Sequence, residues 1–290
     1  MNNKYSNEIK EIDINSPYYP ENLRIINDPP ERLYCIGDLN LLGLKSVAVI
    51  GSRKYTLYGK IVAQMTGKEL AKANIPVVSG LAYGIDSFAH EGTVSLGGKA
   101  IAVLGTGIDI IHPVRNAWLY NKIASSGLII SEYEPGTPGA KYTFPQRNRI
   151  ISAISEAVVV VEAGLNSGSL ITADFANEQG KSIYAVPGNI NSQFSVGTNK
   201  LIKDGAIPLI SISDVTSEIK GIEYTPQNIE TDLGNDELEI YKEIQKSTSC
   251  TIDSIAHNLN KNAGKVSAIL TVLEIKGVIT TYGGKVFLAK

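Results

Sequence analysis

Cysteine, histidine and tryptophan are scarce in this 290-residue chain, which has two Cys, three His and one Trp. Cys35 and Cys250 lie too far apart in sequence to suggest a disulfide framework, and a reducing compartment suits them as inert packing residues. His90, His112 and His257 are isolated from one another and from both cysteines. No metal-ligand spacing results, so neither a metal nor another cofactor is expected. Long apolar runs are missing as well: none approaches the roughly 20 residues needed to cross a bilayer. Met1 to Lys10 is polar rather than a charged start followed by an apolar stretch. A cytoplasmic protein with no membrane partner is expected. Nor is there a large excess of either charge, the formal net value being −2, which argues against indiscriminate nucleic-acid binding.

What is present is a hydrophobic content of 43% and a mean hydropathy near zero, enough for one substantial α/β core with some length left over. Charge is unevenly spread. From Ser211 to Asn235, Asp214, Glu218, Glu223, Glu230 and Asp232 oppose Lys220 alone, a local −4 that leaves +2 on the rest. Between Val47 and Gly205, short apolar runs end repeatedly in small residues: VAVIGSRKY, PVVSGLAYGID, AIAVLGTGID, LIISEYEPG, AVVVVEAGLNSGSL and SIYAVPGN. The runs are continuous rather than alternating, as in strands buried on both faces, and helical stretches separate them. This pattern predicts a doubly wound, mostly parallel sheet, with its glycine and serine loops gathered where such folds bind ligands. Backbone N–H groups crowd around anions in such loops, and Arg53 stands in the first of them.

Four regions are expected. Residues 1–45 form a lead-in, frayed to Ser16, with LYCI as an edge strand; residues 46–212 form the Rossmann-like domain. Residues 213–234 read as an acidic linker, and residues 235–290 as three short helices and a hairpin, the winged-helix order. That last module carries seven bases against six acids, a weak balance for reading a duplex groove. Val266, Ile269, Leu270 and Leu273 fall at helical spacing and commit its third helix to a small core. A docking or modulatory role is expected for it.

Standard nucleotide motifs fail. GSRKYT lacks the later glycines of the dinucleotide fingerprint, GTGIDI places Ile110 where the third belongs, and QGKS lacks the leading glycine of a P-loop. In KYTFPQRNRI, Lys141, Arg147 and Arg149 meet no acid and are interleaved with Tyr142 and Phe144. Bases with aromatics in one segment is the composition of a single-strand binding surface.

GSRKYTLYGK, SGLAYGIDSFAH, IAVLGTGIDIIHP, SEYEPGTPGAKYTFPQRNRIISAIS, VVVEAGLNSGSLITADFA and AVPGNINSQFSVGTNKLI, in that order, resemble the DNA-processing protein A (DprA/Smf) family over roughly Tyr19 to Ile210. The resemblance implies an extended Rossmann fold with a winged-helix-like module. It also implies a non-enzymatic binder of single-stranded DNA, generally a homodimer, that protects incoming strands in natural transformation and loads RecA recombinase. About 18 residues precede the matching region, so the N-terminal helical hairpin of many members is expected to be absent. By the same resemblance Gly51, Ser52 and Arg53 form the phosphate loop and Lys141 the pocket lysine. Arg147, Asn148 and Arg149 are the RNR element, and Ser167, Gly168 and Ser169 the SGS loop. His112 replaces a usual tyrosine.

Two apart at a helix start, Arg147 and Arg149 cannot share a helical face. One is expected to serve DNA and the other structure, with Asn148 and Arg149 knitting loops together. Phe144 divides evenly between core and base stacking. His90 reads as a satisfied helix residue, and Glu132 and Glu162 as acids that tie down loop amides. The competing class is an enzyme, a phosphoribohydrolase of the lysine-decarboxylase-like group, which shares the GSR-like first loop. EAGLNSGSL lacks that group's PGGxGT element and positioned glutamate.

Overall fold

The computed structural model describes residues 9–220, 233–246, 250–275, 278–282 and 284–288. The chain divides into two units, Met1–Glu223 and Tyr224–Lys290. The first begins with β1 (Lys10–Asp13), α1 (Glu21–Arg24) and β2 (Arg32–Gly37), then β3 (Val47–Ile50), α2 (Leu57–Lys72), β4 (Val77–Ser79) and α3 (Ile85–Ser95). It continues through β5 (Ala100–Leu104), α4 (Ala117–Ser126), β6 (Leu128–Ser131), α5 (Thr143–Ala153), β7 (Ala157–Val160) and α6 (Gly168–Glu178). β8 (Ser182–Ala185), α7 (Val196–Lys203), β9 (Ile207–Pro208) and α8 (Ile212–Lys220) complete it.

All nine strands join one sheet in the order β1-β2-β6-β5-β4-β3-β7-β8-β9. From β3 the chain winds outward through β4, β5 and β6, then returns to place β7 on the other side of β3. Strand order therefore reverses at β3, and the crevice beyond the carboxyl ends of β3 and β7 is the switch point where such sheets take ligands. Strand residues alternate between two cores. Ala48, Ile50, Val78, Ile101, Val103, Val158 and Val160 face α1, α5 and α6. Val47, Val49, Val77, Ala157 and Val159 face α2, α3 and α8. Both faces are covered, which is why the runs read as unbroken apolar sequence.

Three expectations about the rim change. LYCI is not an edge: β1 pairs antiparallel with β2, and β2 pairs with β6. Part of the segment expected to fray thus closes the sheet, and the lead-in belongs to the domain. The expected linker at 213–234 begins as α8, with Val215 and Ile219 in the core and Glu218 accepting a hydrogen bond from Tyr184 of β8. The acidic count concealed an amphipathic helix; residues 221–232 lie outside the described ones. Helix α5 starts at Thr143 rather than near Arg147, so most of the expected KYTFPQRNRI loop is helical.

The second unit holds α9 (Asn235–Gln245), α10 (Ile252–Asn258), α11 (Ala263–Ile275) and the antiparallel pair β10 (Ile279–Tyr282) and β11 (Lys285–Leu288). Its core gathers Ile240, Ile244, Ile255, Val266, Leu270 and Leu273, with Ile269 packed against it, the commitment expected of the third helix.

Candidate nucleic-acid interface

A cleft of about 600 Å³ opens at the switch point, and the β3 loop, the start of α5 and the start of α6 all contribute to its walls. Ten of the eleven residues singled out from sequence line it: Gly51, Ser52, Arg53, Lys141, Phe144, Arg147, Asn148, Ser167, Gly168 and Ser169. The early start of α5 explains part of this grouping. Phe144, Arg147, Asn148 and Ile151 fall at i, i+3, i+4 and i+7, one helical face, and all four face the cleft.

Arg149 lies off that face and is not a cleft residue. Its guanidinium meets Glu132 in a bidentate pair, both contacts 2.8 Å, and its Nε donates to the Asp28 carbonyl at 2.9 Å. It ties α5 to the β6 end and to the lead-in, and Glu132 serves this pair rather than the loop amides expected of it. Arg147 borders the cleft, but its Nη1 donates to the carbonyls of Gly80 (2.9 Å) and Val103. Burial pulls its pKa down to about 10, opposed by nearby Asp86. The guanidinium occupies the space a side chain at position 80 would need. Asn148 binds loops together as expected, accepting from Arg147 Nε at 3.2 Å and donating to the Gly168 carbonyl at 3.3 Å.

Asp86, in the first turn of α3, was missed from sequence. Its buried carboxylate accepts from the Gly51 N–H (3.4 Å) and the Gly80 N–H (3.2 Å), pinning the β3 and β4 loops to each other. Burial raises its pKa while Arg147 lowers it. An acid just after a loop glycine, at a helix start where carboxylates are favoured, was the available signal. Glu162, at the end of β7, holds the other flank as expected: it accepts from the Thr56 N–H at 2.9 Å and the Thr56 hydroxyl at 2.5 Å. Thr56 in turn caps α2 by accepting from the Gly59 N–H at 3.1 Å.

Against this fixed frame, Arg53 and Lys141 are exposed at the cleft. Neither forms an ion pair among the described residues; the Arg53 guanidinium carbon lies 5.4 Å from the Phe144 ring centroid. Phe144 is half-buried between the two readings weighed for it, with Gly105 and Gly139 packed against its ring and the His112 ring 5.3 Å away. Ser167 caps α6, its Oγ 2.8 Å from the Ser169 Oγ. The Ser169 N–H meets the Ser167 hydroxyl and the Leu170 N–H the Ser167 carbonyl, so α6 presents the positive end of its dipole to the cations' cleft, a combination that attracts anions.

His90 departs from expectation: it is fully buried, and its ring nitrogens find no well-formed hydrogen bond, only the nearby Ser79 backbone acting on the ring. Burial drives its pKa to about 3 and keeps it neutral. Cys35 is buried, its thiol pushed up to about 12 by desolvation, and Cys250 is buried as well. Among the described residues, no helix is long and apolar enough to cross a membrane, and no cluster of three or more His, Cys, Asp or Glu could hold a metal ion.

The sequence profile of the DNA recombination-mediator protein A family matches residues 10–220, and that of the DprA winged helix domain matches residues 225–285. The chain is 40% identical over 220 residues to DNA processing protein DprA of Bacillus subtilis, across 75% of this chain and 74% of that protein. With Protein Smf of Escherichia coli it shares 35% identity over 282 residues, 94% of this chain and 75% of that one. The crystal structure of DNA processing protein A from Streptococcus pneumoniae superposes with a TM-score of 0.69 at 40% identity, covering 75% of this chain and 76% of the other. DNA processing protein A from Helicobacter pylori, whose structure concerns its single-stranded DNA binding mode, superposes with a TM-score of 0.67 at 33% identity, covering 74% and 96%.

Proposed function

Because the chain belongs to the DNA recombination-mediator protein A family, we propose that its switch-point cleft binds single-stranded DNA without chemical turnover. Arg53 and Lys141 take successive phosphates, the positive amino end of α6 favours a third, and Phe144 offers its ring to a base. The observation that carries this reading is a set of exposed cations at the cleft, Arg53 and Lys141 with Lys54 beside them, that have no ion-pair partner among the described residues. Cations without carboxylate partners meet phosphate with no competing pair to break, whereas Arg147 and Arg149 are committed to carbonyls and to Glu132.

The phosphoribohydrolase alternative needs a carboxylate free to act on substrate. Both oxygens of Glu162 are taken by Thr56 and it does not line the cleft, while Asp86 accepts two loop amides. The proposal extends to delivery of the bound strand to RecA recombinase during natural transformation, by a cytoplasmic homodimer. Residues 10–220 constitute the DNA-binding domain and the second unit a modulatory or docking module.

The test is titration of labelled oligo-dT against the full chain and against Arg53→Glu, Lys141→Glu and the double variant. Each single change should cost at least about tenfold in affinity and the double should abolish binding, with the thermal midpoint unmoved. Parental affinity in the double variant would end the phosphate assignment.

A further inference from the structure

The carboxyl edge of the sheet carries a second cluster, beyond the cleft. Tyr55 from the β3 loop and Tyr83 from the β4 loop meet edge to face with ring centroids 5.8 Å apart, their hydroxyls hydrogen-bonded at 3.2 Å. Tyr55 also packs edge-on to Phe88 at 4.7 Å. Two cations lie over these rings. Arg115, in the connection after β5, has its guanidinium carbon 4.4 Å from the Tyr83 centroid, and Lys60 of α2 has its Nζ 5.0 Å from that of Phe88. Neither is in an ion pair among the described residues. Glu91, which acts electrostatically on Tyr55, accepts a hydrogen bond from Gln64 at 3.2 Å.

The cluster is continuous with the cleft: Tyr83, Arg53, Phe144 and Arg147 wall one small chamber. Loops after β3, β4 and β5 rise from neighbouring parallel strands, so the cluster extends the cleft by roughly 10 Å along the sheet edge. A guanidinium laid on a tyrosine ring presents a second planar cationic face. Planar faces that accept any base, beside unpaired cations, suit a flexible polyanion with exposed bases rather than a duplex or an acidic peptide.

We propose that this cluster is a second stretch of the single-strand track, in which a base leaving the cleft stacks on the Tyr83–Arg115 pair and Lys60 meets the phosphate beside it. The inference rests on the single-stranded DNA reading of the cleft, and the experiment separates the two. Anisotropy of labelled oligo-dT of about 4 and about 12 nucleotides would be measured on the full chain. Tyr83→Ala and Arg115→Ala should each weaken the longer strand about 5- to 150-fold, the range for loss of one stacked base, and leave the shorter one unchanged. Tyr83→Phe, which keeps the ring and loses the hydroxyl bond, should bind both as the parent does. Should Tyr83→Ala fail to fold, Arg115→Ala carries the test alone. Equal effects on both lengths, or none on either, would overturn the track. A change in oligomeric state with unaltered DNA binding would also overturn it, by assigning the patch to a protein contact. Insensitivity of both lengths to Arg53→Glu would overturn the cleft reading itself.

Discussion

The cleft of the sheet domain and the helices of the winged-helix unit handle positive charge in opposite ways. In the sheet domain, Arg53 and Lys141 stand exposed at the cleft with no carboxylate partner among the described residues. In the winged-helix unit, Lys261 bridges Asp236 at 2.8 Å and Glu239 at 2.7 Å, Lys265 pairs with Asp236 at 2.8 Å, and Lys246 pairs with Glu243 at 2.7 Å. Hydrogen bonds from Lys261 and Lys265 hold Asp236 down to about 2. A phosphate approaching those lysines must displace a carboxylate; at Arg53 it displaces water. Net charge hid this difference. The same division recurs within α5, where Arg149 is paired and buried while Lys141, just ahead of the helix, is neither.

Removing a paired, buried cation should therefore cost stability rather than binding. Arg149→Ala strands Glu132, whose side chain is 11% exposed, and should destabilise the fold by about 3–5 kcal/mol in urea unfolding. The folded fraction should keep its affinity for oligo-dT. A variant of parental stability that no longer binds would erase the distinction between paired and free cations.

Salt should sharpen the same contrast. If about four phosphates are neutralised, the slope of log K against log salt is about −2.8, or roughly 50-fold weakening between about 50 and about 200 mM. Changing Lys261 and Lys265 to Gln should leave that slope as it is, and a shallower slope would place phosphate contacts on the second unit.

Acid offers a measure of the sheet domain alone. Folded His90 stays neutral to about pH 3, whereas the unfolded chain protonates it near 6.5. Protons therefore favour the unfolded state, and the contribution is intact above pH 6.5 and lost as pH falls. The loss should reach about 2 kcal/mol at pH 5. Urea midpoints at pH 7 and pH 5 should converge in His90→Leu relative to the parent; an unchanged pH difference would dismiss the role of His90.

The smallest effect belongs to truncation. A fragment ending at Glu223 keeps both cores of the sheet domain and should bind oligo-dT within about threefold of the full chain. Any duplex affinity should fall with the winged-helix unit removed. Single-strand binding confined to the isolated second unit would invert the division of labour.

Strand and helix succession, the position of the glycine loops and the winged-helix order were all legible in the chain, because each is written in local periodicity. That Arg147 and Arg149 cannot share a helical face was legible too, from their spacing of two; that both would be engaged within the fold, rather than one left to DNA, was not. The lead-in strand and α8 were obscured for opposite reasons. KEID is short and mostly exposed, so it carries little apolar signal; α8 is rich in charge but buries Val215 and Ile219 on one side.

By itself, the sequence determined that apolar runs of β-branched residues would be buried on both faces and that small residues would end them. It thereby set a doubly wound sheet with anion-seeking loops at one edge. Only the tertiary structure decided which groups meet there. Glu162 finds Thr56 across 106 positions, Arg149 finds Asp28 across 121, and Asp86 joins two loops that no spacing rule relates. Local propensity acts within a few residues, whereas charge partners are chosen by strand order. That order brings β3 beside β7 and leaves Arg53 and Lys141 without a carboxylate while satisfying every arginine of α5.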